Sequence, residues 1–485
     1  MKKIVSLVLC LSMLLVMLLG TTAFGAVDEN SKGTFSVKDI QNGATVTAYK
    51  IIKANFKEGY FAGYSYVDEV QNWMKTNSYK TYADDISDLG KATPEFQKGF
   101  YSDLIAAMTA SPALLSLSPI DSKTSDGNPV EFNNMPLGQY LLIAEGGDYI
   151  YLPAVANIKA VLKDNDYVAE GETISMKKET VTIDKTVNGA DMTTAGLDEE
   201  LNYVISAAVP EYPAKAINKF YEIKDELSAG LKLVDGSITV QGVKSSVATT
   251  IPTTAYQLTT VGQTTTINFI DFDTIKDYDH VKVSYKAKLT SAAIVGMEGN
   301  RNDATLKYAN NPSKSNSYTT KTDDAMVYTF GLKVYKIDGA TVNDVAPTPL
   351  AGATFRLEKI VGSKWEPVSG AEKLITNSEG RFDVKQLKDG KYRLVELQAP
   401  DGFSMQVKDL EFQIVAEKVN GKLVAKVDGV ELDGGYYSPT ICNYRTVLPW
   451  TGGNGTIIFT VVGILLMVGA VTFLVIRKRM SSVVK

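Results

Sequence analysis

The chain has 485 residues, a formal net charge of −5, one histidine and two cysteines. Cys10 sits in an N-terminal apolar run, so only Cys442 remains in the body; this excludes an intrachain disulfide, and no Cys/His cluster is available to a transition metal. No basic cluster lies away from the two ends and no GxSxG, HExxH or phosphate-loop pattern occurs, which leaves nucleic-acid binding, hydrolysis and cofactor chemistry without a candidate site.

At the N-terminus, Lys2 and Lys3 precede an apolar run from Ile4 to Leu19, and small residues follow up to Ala26. That is the order of a secretory signal peptide, with cleavage expected after Gly25 or Ala26, so residues 1–25 are assigned to it.

Residues 26–176 read as a β domain carrying a helical insertion. Runs at 34–38, 44–49, 138–143 and 152–162 are rich in β-branched and aromatic residues and predict strands. Between them, 67–74 and 94–110 predict helices. The second has Thr93 as N-cap, Pro94 in its first turn, and Phe96, Phe100, Leu104 and Met108 at i, i+4 spacing. Residues 177–326 alternate at 180–185, 201–205 and 281–285, with turn residues at short intervals, which predicts an antiparallel sandwich of the immunoglobulin-like sort.

Residues 327–447 form a third β segment, with strands expected at 331–336, 353–357, 391–396 and 410–414. A degenerate repeat links it to the first. Val37-Lys38-Asp39 and then Gly43-Ala44-Thr45 echo Tyr335-Lys336-Ile337-Asp338 and then Gly352-Ala353-Thr354, while Gly138-Gln139-Tyr140-Leu141 echoes the run from Gly390 to Leu394. The echo predicts one fold used twice. The last 38 residues, 448–485, open on Leu448-Pro449-Trp450-Thr451-Gly452. A run from Thr456 to Ile476 without a charge follows, long enough at ~1.5 Å per residue to cross a bilayer core of ~30 Å, and Arg477-Lys478-Arg479 ends it.

The third segment also carries chemistry. Side chains alternate along a strand, so Leu332, Val334 and Lys336 share a face, as do Tyr392, Leu394 and Glu396, and Ile441 and Asn443. A lysine, a glutamate and an asparagine thus end apolar series that point inward. Burial lowers the pKa of an amine and raises that of a carboxylic acid, favouring a neutral amine beside a protonated acid. Such an amine can attack the Asn443 carboxamide while the acid polarises it, releasing ammonia; held neighbours reach effective molarities of ~10^5 M or more, enough for one slow turnover. A buried Lys–Glu ion pair with a nearby amide is the other arrangement compatible with this pattern.

Several of these stretches resemble known families. The order LPxTG, apolar span, basic stop resembles the cell-wall sorting signal of Gram-positive surface proteins, which implies sortase cleavage between Thr451 and Gly452 and transfer of the Thr451 carbonyl to an amine. Pro349-Leu350-Ala351-Gly352-Ala353-Thr354-Phe355 and the run from Tyr392 to Phe403 are similar to the collagen-adhesin B-type domain. That resemblance implies a self-formed isopeptide between Lys336 and Asn443 with Glu396 as the promoting acid. Ile183-Asp184-Lys185-Thr186-Val187, Tyr221 to Leu227 and Asn302 to Tyr308 resemble the middle domain of sortase-assembled backbone pilins. By this resemblance Lys185 bonds to Asn302 with Asp225 as the acid; Asn310 has the same strand parity and is the alternative partner. The first domain has Lys38 and Glu145, but its glutamate is one position out of register with Glu396.

The whole chain therefore resembles a three-domain major pilin: tandem β-sandwiches between a signal peptide and a transmembrane sorting signal. In that family a lysine at the end of the first domain joins the threonine of the next subunit, usually within a Tyr-Pro-Lys-Asn motif. Here Ile174-Ser175-Met176-Lys177-Lys178-Glu179 stands in its place, so Lys177 is expected by position, with Lys178 as its neighbour. The implied partners are pilus-specific and housekeeping sortases, identical subunits and peptidoglycan, with a host surface ligand left open. No cofactor and no enzymatic turnover are expected. The alternative is a monomeric wall-anchored adhesin whose first domain binds a host ligand.

Overall fold

The computed structural model describes residues 27–110, 113–163, 166–213, 215–446 and 454–481. The expected signal segment and the pentapeptide from Leu448 to Gly452 lie outside the described residues. The fold is mainly β and divides into two compact units, one running to Ile294 and taking in Glu298–Tyr328, the other comprising Val295–Met297 and the chain from Thr329 onward.

The N-terminal part of the first unit is built on one large sheet. Thr45–Lys57 pairs with Tyr60–Tyr66 on one side and Gly138–Glu145 on the other, followed by Ala154–Lys163 and Asp166–Gly171. Facing it is a three-stranded sheet of Thr173–Ser175, Lys32–Lys38 and Val130–Pro136. Alternation decides which face each side chain serves. Tyr140, Leu142 and Ala144 join Phe35, Val37, Val46 and Phe132 in one core, whereas Leu141 packs with Ile51, Ile52, Val70, Met74, Phe100 and Leu104 in another, beneath the helices. The unbroken apolar run from Tyr140 to Ile143 thus reflects a strand covered on both faces.

The helices are Asp68–Lys75, Ile86–Lys91 and Pro94–Thr109, matching the two expected and adding one. Thr93 caps the last as its sequence implies, accepting from the Phe96 N–H at 3.3 Å. The additional helix has six residues, too few to show a period, and is held by Asp85 accepting from the Ser87 N–H.

The remainder of the first unit is a sandwich of two six-stranded sheets. One carries Ile183–Val187, Glu200–Ala208 and His280–Leu289; the other carries Tyr221–Leu227 and Asn300–Ala309 at its centre. Their inward faces meet in a core that includes Tyr203, Ile205, Tyr221, Ile223, Val283, Leu306 and Tyr308. The run at 180–185 is not one strand. Lys178–Thr180 pairs with Tyr149–Tyr151, and only from Ile183 does the chain pair with Glu200–Ala208 in the sandwich, although Ile150 and Val181 already pack into the sandwich core.

The second unit pairs a four-stranded sheet with a seven-stranded one. Its first strand, Phe330–Asp338, lies antiparallel to Arg381–Leu387 and parallel to Thr440–Asn443. Lys32–Lys38 repeats this, antiparallel to Val130–Pro136 and parallel to Thr173–Ser175. The internal echo also has a structural counterpart in Gly138 and Gly390, both at φ +148, where a side chain would be strained; a Cβ at Gly138 would stand 2.1 Å from Ile52 O. Two residues beyond each glycine a tyrosine hydroxyl donates to a carbonyl four residues upstream, Tyr140 to Pro136 and Tyr392 to Lys388.

The candidate Lys–acid–Asn clusters

In the second unit the parallel pairing sets Lys336 opposite Ile441 and Asp338 opposite Asn443, so Lys336 and Asn443 come from adjacent strands of one sheet. Glu396, on Gly390–Gln398, belongs to the other sheet. All three are buried. Lys336 Nζ donates to Asn443 Oδ1 and lies 3.2 Å from Glu396 Oε1; the same oxygen accepts from Asn443 Nδ2 at 2.9 Å. Glu396 Oε2 is held by the Gln406 N–H at 2.6 Å. Burial pushes the Lys336 amine below the ordinary lysine value, and the Glu396 carboxylate partly offsets it. With its Nζ 5.6 Å from the Phe355 ring centroid, the lysine has an apolar wall on one side and the acid and amide on the other.

In the middle sandwich the residues come from facing sheets. Lys185 lies on Ile183–Val187, whereas Asp225 and Asn302 lie on neighbouring strands of the opposite sheet, Tyr221–Leu227 and Asn300–Ala309. Lys185 Nζ donates to Asp225 Oδ1. Asp225 Oδ1 also accepts from the Tyr285 hydroxyl at 2.8 Å, and that hydroxyl accepts from Asn302 Nδ2 at 2.6 Å. Burial lowers the Lys185 amine and raises the Asp225 carboxyl, each opposed by the other's charge. The two tyrosines here, Tyr203 and Tyr285, were not anticipated. Their signal was available, since Leu201, Tyr203 and Ile205 share a strand face, as do Val281, Val283 and Tyr285.

Asn310 is placed elsewhere. Its amide donates to Gly147 O at 3.3 Å and accepts from Ser317 Oγ at 2.8 Å, with no hydrogen bond to the Lys185 cluster among the described residues. Lys38 is exposed, and Glu145 pairs instead with Lys314 at 2.8 Å and accepts from Asn311 Nδ2 at 3.2 Å. Counting from the bulge in each first strand, between Gly33 and Phe35 and between Phe330 and Leu332, Lys38 takes the place of Tyr335 and Asp39 that of Lys336. The repeat thus carries its lysine on the outer face.

The expected joining lysines are not in a free linker. Lys177 is half-buried, and its carbonyl accepts from the Leu152 N–H at 2.9 Å. Lys178 opens the strand paired to Tyr149–Tyr151, with its Nζ 4.5 Å from the Tyr149 ring centroid. Beyond the pentapeptide, Asn454–Ser481 is one helix, of which Ile457–Met480 is long and apolar enough to cross a membrane.

Comparison with known proteins agrees with this architecture. Residues 331–428 match the SpaA prealbumin-like fold domain, and residues 443–481 match the LPXTG cell wall anchor motif. The trypsin-resistant surface T6 protein of Streptococcus pyogenes serotype M6 is 27% identical over 441 residues, covering 83% of this chain and 75% of that protein. The chain therefore combines a SpaA-type domain and an LPXTG anchor with similarity to a surface T6 protein. The fimbrial subunit type 1 of Actinomyces viscosus is 26% identical over 352 residues, covering 61% of this chain and 64% of the relative. Among solved structures, the T6 backbone pilin superposes with a TM-score of 0.62 at 20% identity, over 87% of this chain and all of that one. The full-length major pilin SpaD of Corynebacterium diphtheriae gives 0.54 at 19% identity, over 87% of this chain and 99% of its own. The anchor motif and these relatives support a cell-wall-anchored surface protein that serves as a structural subunit of a pilus.

Proposed function

We propose that the mature pilin is polymerised covalently, a sortase cleaving between Thr451 and Gly452 and joining the Thr451 carbonyl to Lys177 of the next subunit. The shaft so formed is three domains per subunit, 26–176, 177–326 and 327–447, matching the modular three-domain structure described for the T6 pilin. Isopeptides Lys336–Asn443 and Lys185–Asn302 reinforce the last two, as the stabilising isopeptide bonds described for the SpaA pilin of C. diphtheriae do there. Each forms once, without a separate enzyme, with Glu396 and Asp225 as promoting acids. Peptidoglycan receives the last subunit through a housekeeping sortase.

The observation that carries this reading is the pair of buried Lys–acid–Asn clusters in sandwiches that precede a sorting signal. Three ionisable or amide groups gathered in an apolar core are costly unless they neutralise each other or react. Reaction removes the charge on the lysine altogether. It also ties strands far apart in sequence, which suits a fibre that carries tension along its chain.

The test is a cell-wall extract. Wild type should give a ladder of heat- and detergent-resistant multimers, and Lys177→Ala should reduce it to wall-linked monomer. Loss of the ladder only with Lys178→Ala would shift the joining residue by one. A wild type with no ladder would replace this reading with the monomeric adhesin. Thr451→Ala should leave the protein unattached to peptidoglycan in either case.

A further inference from the structure

We propose that Tyr285 is the proton-transferring residue of the middle-domain cross-link and that Tyr203 steadies the Asn302 carbonyl oxygen as it is attacked. This rests on the Lys185–Asn302 bond proposed above. Two features of the site lead to it. First, among the described residues no hydrogen bond joins Asp225 to Asn302; the Tyr285 hydroxyl stands between them, donating to Asp225 Oδ1 at 2.8 Å and accepting from Asn302 Nδ2 at 2.6 Å. Second, Tyr203 Oη and Asn302 Oδ1 are two of the four buried side-chain polar atoms without a well-aligned hydrogen bond among the described residues, although the Tyr203 hydroxyl lies close enough to the Asn302 amide to interact with it. Buried polar groups are nearly always satisfied, so two such atoms in one reactive cluster need a reason.

The tyrosines form one device. Tyr203 and Tyr285 are register partners on adjacent strands, and their rings stack at 5.3 Å with 8° between planes. Both rings flank the amine, with Lys185 Nζ 5.7 Å and 5.9 Å from their centroids. A stack of two phenylalanines would fill the same space. The hydroxyls are what packing does not explain, and for Tyr203 packing alone makes the hydroxyl a cost.

The chemistry then closes. The neutral Lys185 amine attacks Asn302 Cγ, forming the C–N bond while the carbonyl electron pair moves to Oδ1, where the Tyr203 O–H donates a hydrogen bond. Protonated Asp225 passes its proton to the Tyr285 oxygen as the Tyr285 O–H, turned from Asp225 toward the amide nitrogen once that nitrogen becomes a pyramidal acceptor, passes its own to Nδ2. The attacking nitrogen gives up one proton to Asp225 Oδ1, to which Lys185 Nζ already donates, and so restores the acid. The Oδ1 electron pair returns to the carbonyl as the Cγ–Nδ2 bond breaks and ammonia leaves, so that amine plus carboxamide become amide plus ammonia. Burial and the adjacent Asp225 push the Tyr285 hydroxyl well above its ordinary pKa, so it stays protonated and relays by simultaneous gain and loss. A positioned proton-transfer group is worth about 100-fold or more in rate.

The test follows ammonia loss and the Lys185–Asn302 cross-linked peptide by mass spectrometry, in the full secreted chain after synthesis and refolding. Tyr285→Phe should slow this link about 100-fold or more, while the Lys336–Asn443 link in the same molecules forms normally and reports that the chain folds. Tyr203→Phe should slow it less. Adding Asp225→Glu to Tyr285→Phe should restore much of the rate, because the longer acid reaches the amide directly; no structural role for the hydroxyl gives that rescue. A middle link forming at the wild-type rate in Tyr285→Phe overturns the inference and leaves the bond itself standing. A wild-type chain with no middle link overturns both.

Discussion

Glu396 touches its lysine and its asparagine through one oxygen, whereas Asp225 touches only its lysine and reaches the asparagine through Tyr285. The acids differ by one methylene, and so do the origins of their partners. Lys336 and Asn443 stand on adjacent strands with the acid projecting from the facing sheet. In the middle sandwich the acid and asparagine share a sheet and the lysine crosses the core. A side chain projecting across the gap can insert between two partners; one beside its asparagine on the same sheet must be bridged. A third grouping of the same residue types shows what is missing when the core is absent. Glu145 holds Lys314 and Asn311 with good geometry, but the Lys314 side chain is 58% exposed against 0% for Lys336. That amine stands in solvent rather than in an apolar core, and the grouping is an exposed ion pair.

The largest effect is expected from Glu396→Ala. Both partners stay in place, yet the link should not form, and the chain should regain the mass of one ammonia. The 107-residue separation of Lys336 and Asn443 puts the lost loop-closure stabilisation at ~4–5 kcal/mol, read as a lowered midpoint in denaturant. An unchanged mass and midpoint would reduce the cluster to an ordinary buried ion pair. Glu396→Asp should be nearly as severe in rate, slowing the link about 100-fold, because a shortened acid there has no tyrosine to bridge the gap. A wild-type rate in that variant would mean that acid length does not separate the two sites.

The pH response of an unlinked middle sandwich is a smaller effect and has a definite sign. In Asn302→Ala, Lys185 cannot be acylated, and its amine sits below its unfolded value, so the folded chain binds fewer protons and stability rises as pH climbs from that lowered value toward the ordinary lysine value. Asp225 is raised, so its contribution is fully present in acid and is lost as pH rises through the raised value. Stability should therefore pass through a minimum between the two, on the order of 1 kcal/mol deep, by denaturant titration across pH. In wild type the alkaline limb should vanish, since an amide does not titrate. Smallest of all, Lys314→Ala should cost less than about 1 kcal/mol and leave the ammonia loss unchanged. A change in mass there would overturn the distinction drawn between exposed and buried groupings.

Much of this was present in one dimension. Period-two alternation placed Lys336, Glu396 and Asn443 on inward faces, turn residues marked the strands, and the order of pentapeptide, apolar helix and basic stop needs no fold to be read. The helix at Pro94–Thr109 followed from its cap and spacing because those are local. Local pattern failed where one residue changes a face. Lys38 echoes Lys336 in sequence, but the register relative to the bulge turns it outward, and a shift of one exchanges core for solvent. The tertiary structure alone decided that Asn302 and not Asn310 stands beside the Lys185 cluster, since both share a strand parity and only the facing sheet tells them apart. It alone put a tyrosine between an acid and an amide. Parity says which way a side chain points; what it meets there depends on strands a hundred residues away, and the chemistry of a buried amine depends on what it meets.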